Sequence, residues 1–240
     1  MKSPINHTSL KQIDSAFDSL MEQENIMKDG AICIDRYSRA NLRVMWVLKQ
    51  NIDYGFNSYS SQLLQNLDKV SSSPTWRRIA HASHGLLSGL RDFNTLKKHE
   101  QGECLESMLS TSIVEVNKEL GESRSSDLSV HEGYAKYKEL IKNQIEAHAP
   151  DVVVVCMVGG NENLKPIVES IYKDYTGELE YKICGNSNPK SADVAWSKAG
   201  DKVFMWAYHP SYTHITDTDY FDGLMNAYDE AVKHDRLNPI

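Results

Sequence analysis

The sequence predicts an α/β protein: a three-layer α/β/α sandwich with a central, mainly parallel, four-stranded sheet. Four apolar runs carry that expectation: LRVMWVLK (42 to 49), TSIVEVN (111 to 117), DVVVVCMV (151 to 158) and KVFMWAYH (202 to 209). Their length and β-branched content suit strands buried on both faces, which is the habit of parallel sheets. Segments of helical periodicity separate them, and strand-helix alternation builds a sheet covered on both sides. A chain of 240 residues with 40% hydrophobic content suffices for one large core. Residues 1 to 240 are therefore expected to form a single domain, with a helical segment over 1 to 40 packed on it.

The elements follow in chain order. An amphipathic helix is expected from Ser9 to Met27, ahead of the first strand. After that strand, Ser73 is placed as an N-cap and Pro74 at the first helical position, with Ile79, Leu86, Leu87 and Leu90 on the buried stripe. GECLESML (102 to 109) reads as a surface loop. Beyond the second strand, Ser129 and Glu132 have capping-box spacing, and Tyr134, Tyr137, Leu140, Ile141 and Ile145 recur at helical intervals up to Pro150. The third strand runs into MVGGNEN, which lacks both the phosphate-loop and the three-glycine dinucleotide patterns, so Gly159-Gly160 is read as a tight turn into a helix. That helix carries Leu164, Ile167, Val168 and Ile171. GNSNPKSADVAWSKAGD (185 to 201) reads as a second surface loop. A last helix carries Phe221, Leu224, Met225 and Tyr228 after the fourth strand.

Composition narrows the classes. The formal charge of −7 argues against a broadly basic nucleic-acid binder and leaves room only for a local positive patch. Cys33, Cys104, Cys156 and Cys184 are scattered without a C-x-x-C pair, which predicts reduced thiols and no metal ribbon or cluster. Neither a membrane span nor a signal peptide is predicted, and a cytoplasmic location is the expectation.

Three strand ends deliver polar groups: Asn51 with Asp53 after the first, Asn117 after the second, and His209 after the fourth. In a parallel sheet the carboxyl ends converge on one crevice, so these residues are expected to share a site. His209 stands in His-Pro-Ser, and Pro210 stiffens the turn behind it. Arg77 and Arg78 sit at a helix start, where cations oppose the macrodipole, and that placement favours an anionic partner.

The ordered trio of a polar loop after one strand, an Asn after another and a final His-Pro-Ser resembles the uracil-DNA glycosylase superfamily over residues 42 to 230. The His-Pro-Ser element at 209 to 211 is the closest match. In the first motif the glycine and proline flanking the family's Asp or Asn are replaced, here Lys49-Gln50-Asn51-Ile52. The resemblance implies a monofunctional DNA glycosylase that cleaves the N-glycosidic bond of a flipped uracil or modified pyrimidine. It extends to a hypermodified phage base in antiviral defence. No cofactor or metal is implied, and the expected partner is DNA, met by a monomer.

It further implies that Asn51 holds the attacking water, with Asp53 as the alternative activator, and that His209 hydrogen-bonds the departing base. Asn117 would read the base edge, and Tyr54 and Phe56 would stack on it. Arg77, Arg78, Pro210 and Ser211 would face backbone phosphate, with Tyr212 as a wedge. Two other readings stand beside this one: a catalytically silent member binding nucleic acid or protein, and a nucleoside or nucleotide hydrolase.

Overall fold

The computed structural model describes residues 5–52, 58–66, 72–96, 102–121, 125–158, 162–178, 180 and 194–237. Its strands are β1 (Gly30–Ala31), β2 (Val44–Ile52), β3 (Ser112–Gly121), β4 (Val152–Val158), β5 (Ala195–Ala199) and β6 (Lys202–Tyr208). They form one six-stranded sheet in the order β1-β3-β2-β4-β6-β5. The four apolar runs are its parallel centre, β3-β2-β4-β6. The expected four-stranded sheet is thus enlarged by an antiparallel strand at each edge, β1 on β3 and β5 on β6. The two edge strands were hidden for different reasons. β1 has only two residues, and β5 (AWSKA) is polar enough on one face to read as loop.

Helices cover both faces. One layer holds α4 (Pro74–Ser88), α6 (Glu103–Leu109) and α9 (Asp217–Leu237), whose Ile79, Met108 and Phe221 pack with Trp46, Val154 and Met205 of the sheet. The other holds α1 (His7–Met21), α7 (Asp127–His148) and α8 (Lys165–Thr176), whose Phe17, Ile141 and Val168 pack with Val47, Val155 and Phe204. Alternate residues of β2 and β4 therefore feed two separate cores, as the period of a strand requires. Short helices α2 (Ile34–Arg39), α3 (Tyr59–Gln65) and α5 (Phe93–Leu96) complete the connections.

Local chemistry explains the boundaries and the departures from expectation. Pro74 opens α4 and Gly89, at φ 78°, closes it, a conformation that costs glycine little. The cap of α7 is Ser126, whose Oγ accepts from Ser129 N, so the helix starts three residues ahead of the expected Ser129. The segment 102 to 109 is helix α6 and not a loop, because Cys104 and Met108, four residues apart, both point into the core. The N-terminal helix ends at Met21, short of the expected Met27. The chain beyond is extended along β3, where Met27 N donates to Lys118 O and Leu120 N donates to Asn25 O. Among the described residues, no helix is long and apolar enough to cross a membrane.

Candidate active site at the carboxyl edge of the sheet

The topology singles out one place for a ligand. The helices that follow β2 lie over one face of the sheet, whereas α8, which follows β4, lies over the other. β2 and β4 are neighbours, so the crevice beyond their carboxyl ends is the switch point of this sheet, the usual ligand position in open α/β folds. Two irregularities open the same edge. From Gln50↔Asn117 the ladder passes to Ile52↔Gly121, and from Cys156↔Ala207 it passes to Val158↔Tyr208. Such bulges turn strand ends apart and redirect side chains. Asn51 sits at the first slip.

β6 delivers His209 to this edge. Tyr212 N donates to His209 O at 2.9 Å, closing a tight turn around Pro210. Within the turn Ser211 N donates to His209 Nδ1 at 3.3 Å, and Ser211 Oγ lies 2.7 Å from the same nitrogen. A ring nitrogen that accepts from an N–H carries no proton, so the imidazole proton sits on Nε2. Burial lowers the His209 pKa to about 4, with the positive charge of Lys49 adding to the effect. The ring is therefore neutral near pH 7 with Nε2–H as its only ring N–H donor.

Sequence reasoning gave Lys49 no role of its own. Register brings it to His209: Val47 lies level with Val155, and Val155 with Trp206, so the residues that follow emerge together two strands apart. It is half-buried, and its charge is felt at the imidazole.

Asn117 is placed differently from expectation. β3 continues to Gly121, so Asn117 lies inside the sheet and not after it. The stretch from 117 to 120 carries the strand on, and the extended chain from 25 to 28 pairs with it. Asn117 is 3% exposed, its Nδ2 donates to Ser129 O at 3.1 Å, and its Oδ1 accepts from Glu119 N at 3.1 Å. A Cβ on Gly133 of α7 would come within 2.4 Å of it. With both ends engaged, this amide anchors α7 on β3.

The arginines are also reassigned. Arg78 is 6% exposed, and its guanidinium donates to Asp217 Oδ1 at 2.7 Å, to Pro210 O at 2.9 Å, to Tyr212 O at 2.7 Å and to Ile215 O. Arg77 Nε donates to the other Asp217 oxygen at 2.7 Å. The anionic partner favoured by their position at a helix start is thus internal, a carboxylate in the first turn of α9, where the helix dipole also suits it. Burial opposes ionisation of Asp217, but the two arginines outweigh it and hold its pKa below the usual carboxylate value.

Pro210 is buried and Ser211 is exposed. Tyr212 stacks on Tyr208 with ring centroids 4.9 Å apart and 15° between planes, and His214 tilts toward it at 5.3 Å. It is packed against Tyr208 and His214 and does not stand alone as a wedge. Asp53, Tyr54, Phe56 and the Gly159-Gly160 turn lie outside the described residues, and for Asn51 only the backbone is described.

Away from this edge, a cavity of about 1050 Å³ lies at the amino ends of β2, β4 and β6, lined by Arg43, Asp151, Tyr175 and Lys202 among others. Two of its cations are already engaged: Arg43 N and Nη2 donate to Asp151, and Lys202 Nζ donates to Tyr175 O at 2.6 Å. Among the described residues no group of three or more His, Cys, Asp or Glu side chains is arranged to hold a metal ion. No family model, curated protein or solved structure matches the chain.

Proposed function

We propose that the protein is a DNA glycosylase that hydrolyses the N-glycosidic bond of a flipped uracil or modified pyrimidine, with His209 Nε2–H donating to the base as it leaves. The observation that carries this reading is the turn at the carboxyl edge of the sheet in which Ser211 N donates to His209 Nδ1 and leaves Nε2 as the ring's N–H. Negative charge grows on a base oxygen as the bond to the sugar breaks. A fixed donor strengthens its hydrogen bond as that charge develops. Lys49 adds positive potential at the same place. Asn51 and Asp53 remain the two candidates for positioning water on the sugar. The reading gives Asn117 no part in recognising the base.

Duplex and single-stranded DNA panels carrying uracil or modified pyrimidines, followed by alkaline cleavage, test the proposal. Wild type should produce abasic sites on at least one substrate. His209→Ala should slow their formation by roughly a hundred- to thousand-fold, the cost of one transition-state donor. DNA binding should survive that substitution and weaken steeply with salt in both proteins, because phosphate contacts dominate affinity. The engaged amide of Asn117 favours a second reading, a member that binds nucleic acid without releasing a base. DNA binding with no abasic product on any substrate selects it.

A further inference from the structure

We infer that Arg78 is the positioning residue of the 209 to 215 loop, gathering the carbonyls of Pro210, Tyr212 and Ile215 and the carboxylate of Asp217 on one buried guanidinium so that His209 is held in its Nε2–H form.

The loop has no ladder or helix to satisfy its backbone, so its carbonyls need another donor. Arg78 supplies three of them from α4, on a different part of the chain, at 2.9 Å for Pro210 and 2.7 Å for Tyr212, with Ile215 on the third contact. Its remaining contact, Asp217, fixes the start of α9, so the loop is held at its tip, its middle and its far end by one planar group. The ring of Tyr220 lies under the guanidinium at 5.5 Å and closes the desolvated pocket. The Ser211 N–H that selects the imidazole tautomer belongs to the segment between the first two clamped carbonyls. A lysine could carry the charge there, but its single ammonium cannot present the fork that reaches four acceptors in different directions. The prediction for Arg78→Lys is therefore a folded protein with a loosened loop.

The test reads His209 directly by ring nitrogen and proton NMR, in wild type, Arg78→Lys, Asp217→Asn and Arg91→Lys. Arg91 is the control, since it pairs with Asp229 and caps Gly85 O on the same helical layer without touching the loop. In wild type the ring should be the Nε2–H tautomer and stay neutral well below pH 6. In Arg78→Lys both tautomers should be populated and titration should return toward the ordinary histidine value of about 6.5. Asp217→Asn should move the ring in the same direction by less, and Arg91→Lys should leave it unchanged. Wild-type tautomer and titration in Arg78→Lys overturn the inference. An equal shift in Arg91→Lys also overturns it, because general loosening then explains the effect. If Arg78→Lys does not fold, Asp217→Asn decides alone: a wild-type ring there counts against the clamp.

A second arm rests on the glycosylase reading. Base release in Arg78→Lys should fall by roughly a hundred-fold, the usual effect of a small misplacement of a reacting group, with the wild-type substrate affinity retained. Absence of base release in wild type defeats the functional proposal and leaves the NMR result to judge the clamp.

Discussion

Side-chain states at the site and in the core are shown by a sequence only as letters. His209 was visible as a candidate because a histidine followed by Pro-Ser at a strand end is chemically odd, but its neutrality comes from burial and the charge of Lys49, and its tautomer from the Ser211 N–H. Its acid limb in a pH-rate profile should accordingly lie near 4, well below that of a free imidazole, when base release is measured under single-turnover conditions. A second residue-scale device escaped the sequence altogether. Lys118 and Asp29 form an ion pair with side chains 0% and 1% exposed, and Gln144 Oε1 accepts from Lys118 Nζ at 2.7 Å. Burial pushes the lysine pKa down and the Asp29 charge opposes that shift. Glu115 N also donates to Asp29 at 2.6 Å, so the carboxylate ties the chain before β1 to β3 and α7. Asp29→Ala would leave an ammonium without its counter-ion and should cost about 3 to 5 kcal/mol, measurable as a lower urea midpoint. Neither residue could be paired from sequence, since 89 positions separate them.

At the scale of elements, the central strands and the long helices were legible because burial on a sheet or on one helix face leaves a periodic apolar record. Boundaries were less so where a polar run joined a neighbour. Residues 117 to 120 pair with the chain near Ile26, and α6 is a short helix that buries only Cys104, Met108 and Leu109. Close approach between elements is likewise recorded only in three dimensions. Gly133 lets α7 lie directly on Asn117, and an added methyl would stand 2.4 Å from its Cβ and Cγ. Gly133→Ala should therefore push α7 off β3 and cost about 1 to 3 kcal/mol by overpacking. Gly102→Ala, where nothing lies within 4 Å of the added atom, is the matched control in the same thermal or urea unfolding series.

For the whole molecule, pH couples the site to stability. Burial lowers the pKa of His148 as it does that of His209, and His148 has both ring nitrogens engaged, with Gln144 O at 2.7 Å and Ala31 N at 3.2 Å. As pH falls from about 6.5, the unfolded chain takes up protons that the native histidines refuse, so native stability present above that value is lost toward the folded values. Urea unfolding between pH 7 and pH 4 should show this loss beginning before the carboxylates titrate, and His209→Ala should flatten part of the slope. A slope unchanged in His209→Ala would place that histidine in an ordinary solvated environment.

By itself the sequence determined the α/β class, the four parallel strands, the principal helices and His209 as the residue to watch. All of these rest on local periodicity or on the chemistry of adjacent residues. The tertiary structure decided the two edge strands, the inward use of Asn117, the partnership of Arg77 and Arg78 with Asp217, and the protonation state of His209. The physical reason is that hydrogen bonding and desolvation belong to pairs of atoms. Here the decisive partners stand far apart along the chain, with 139 positions between Arg78 and Asp217, and only folding brings them within bonding distance.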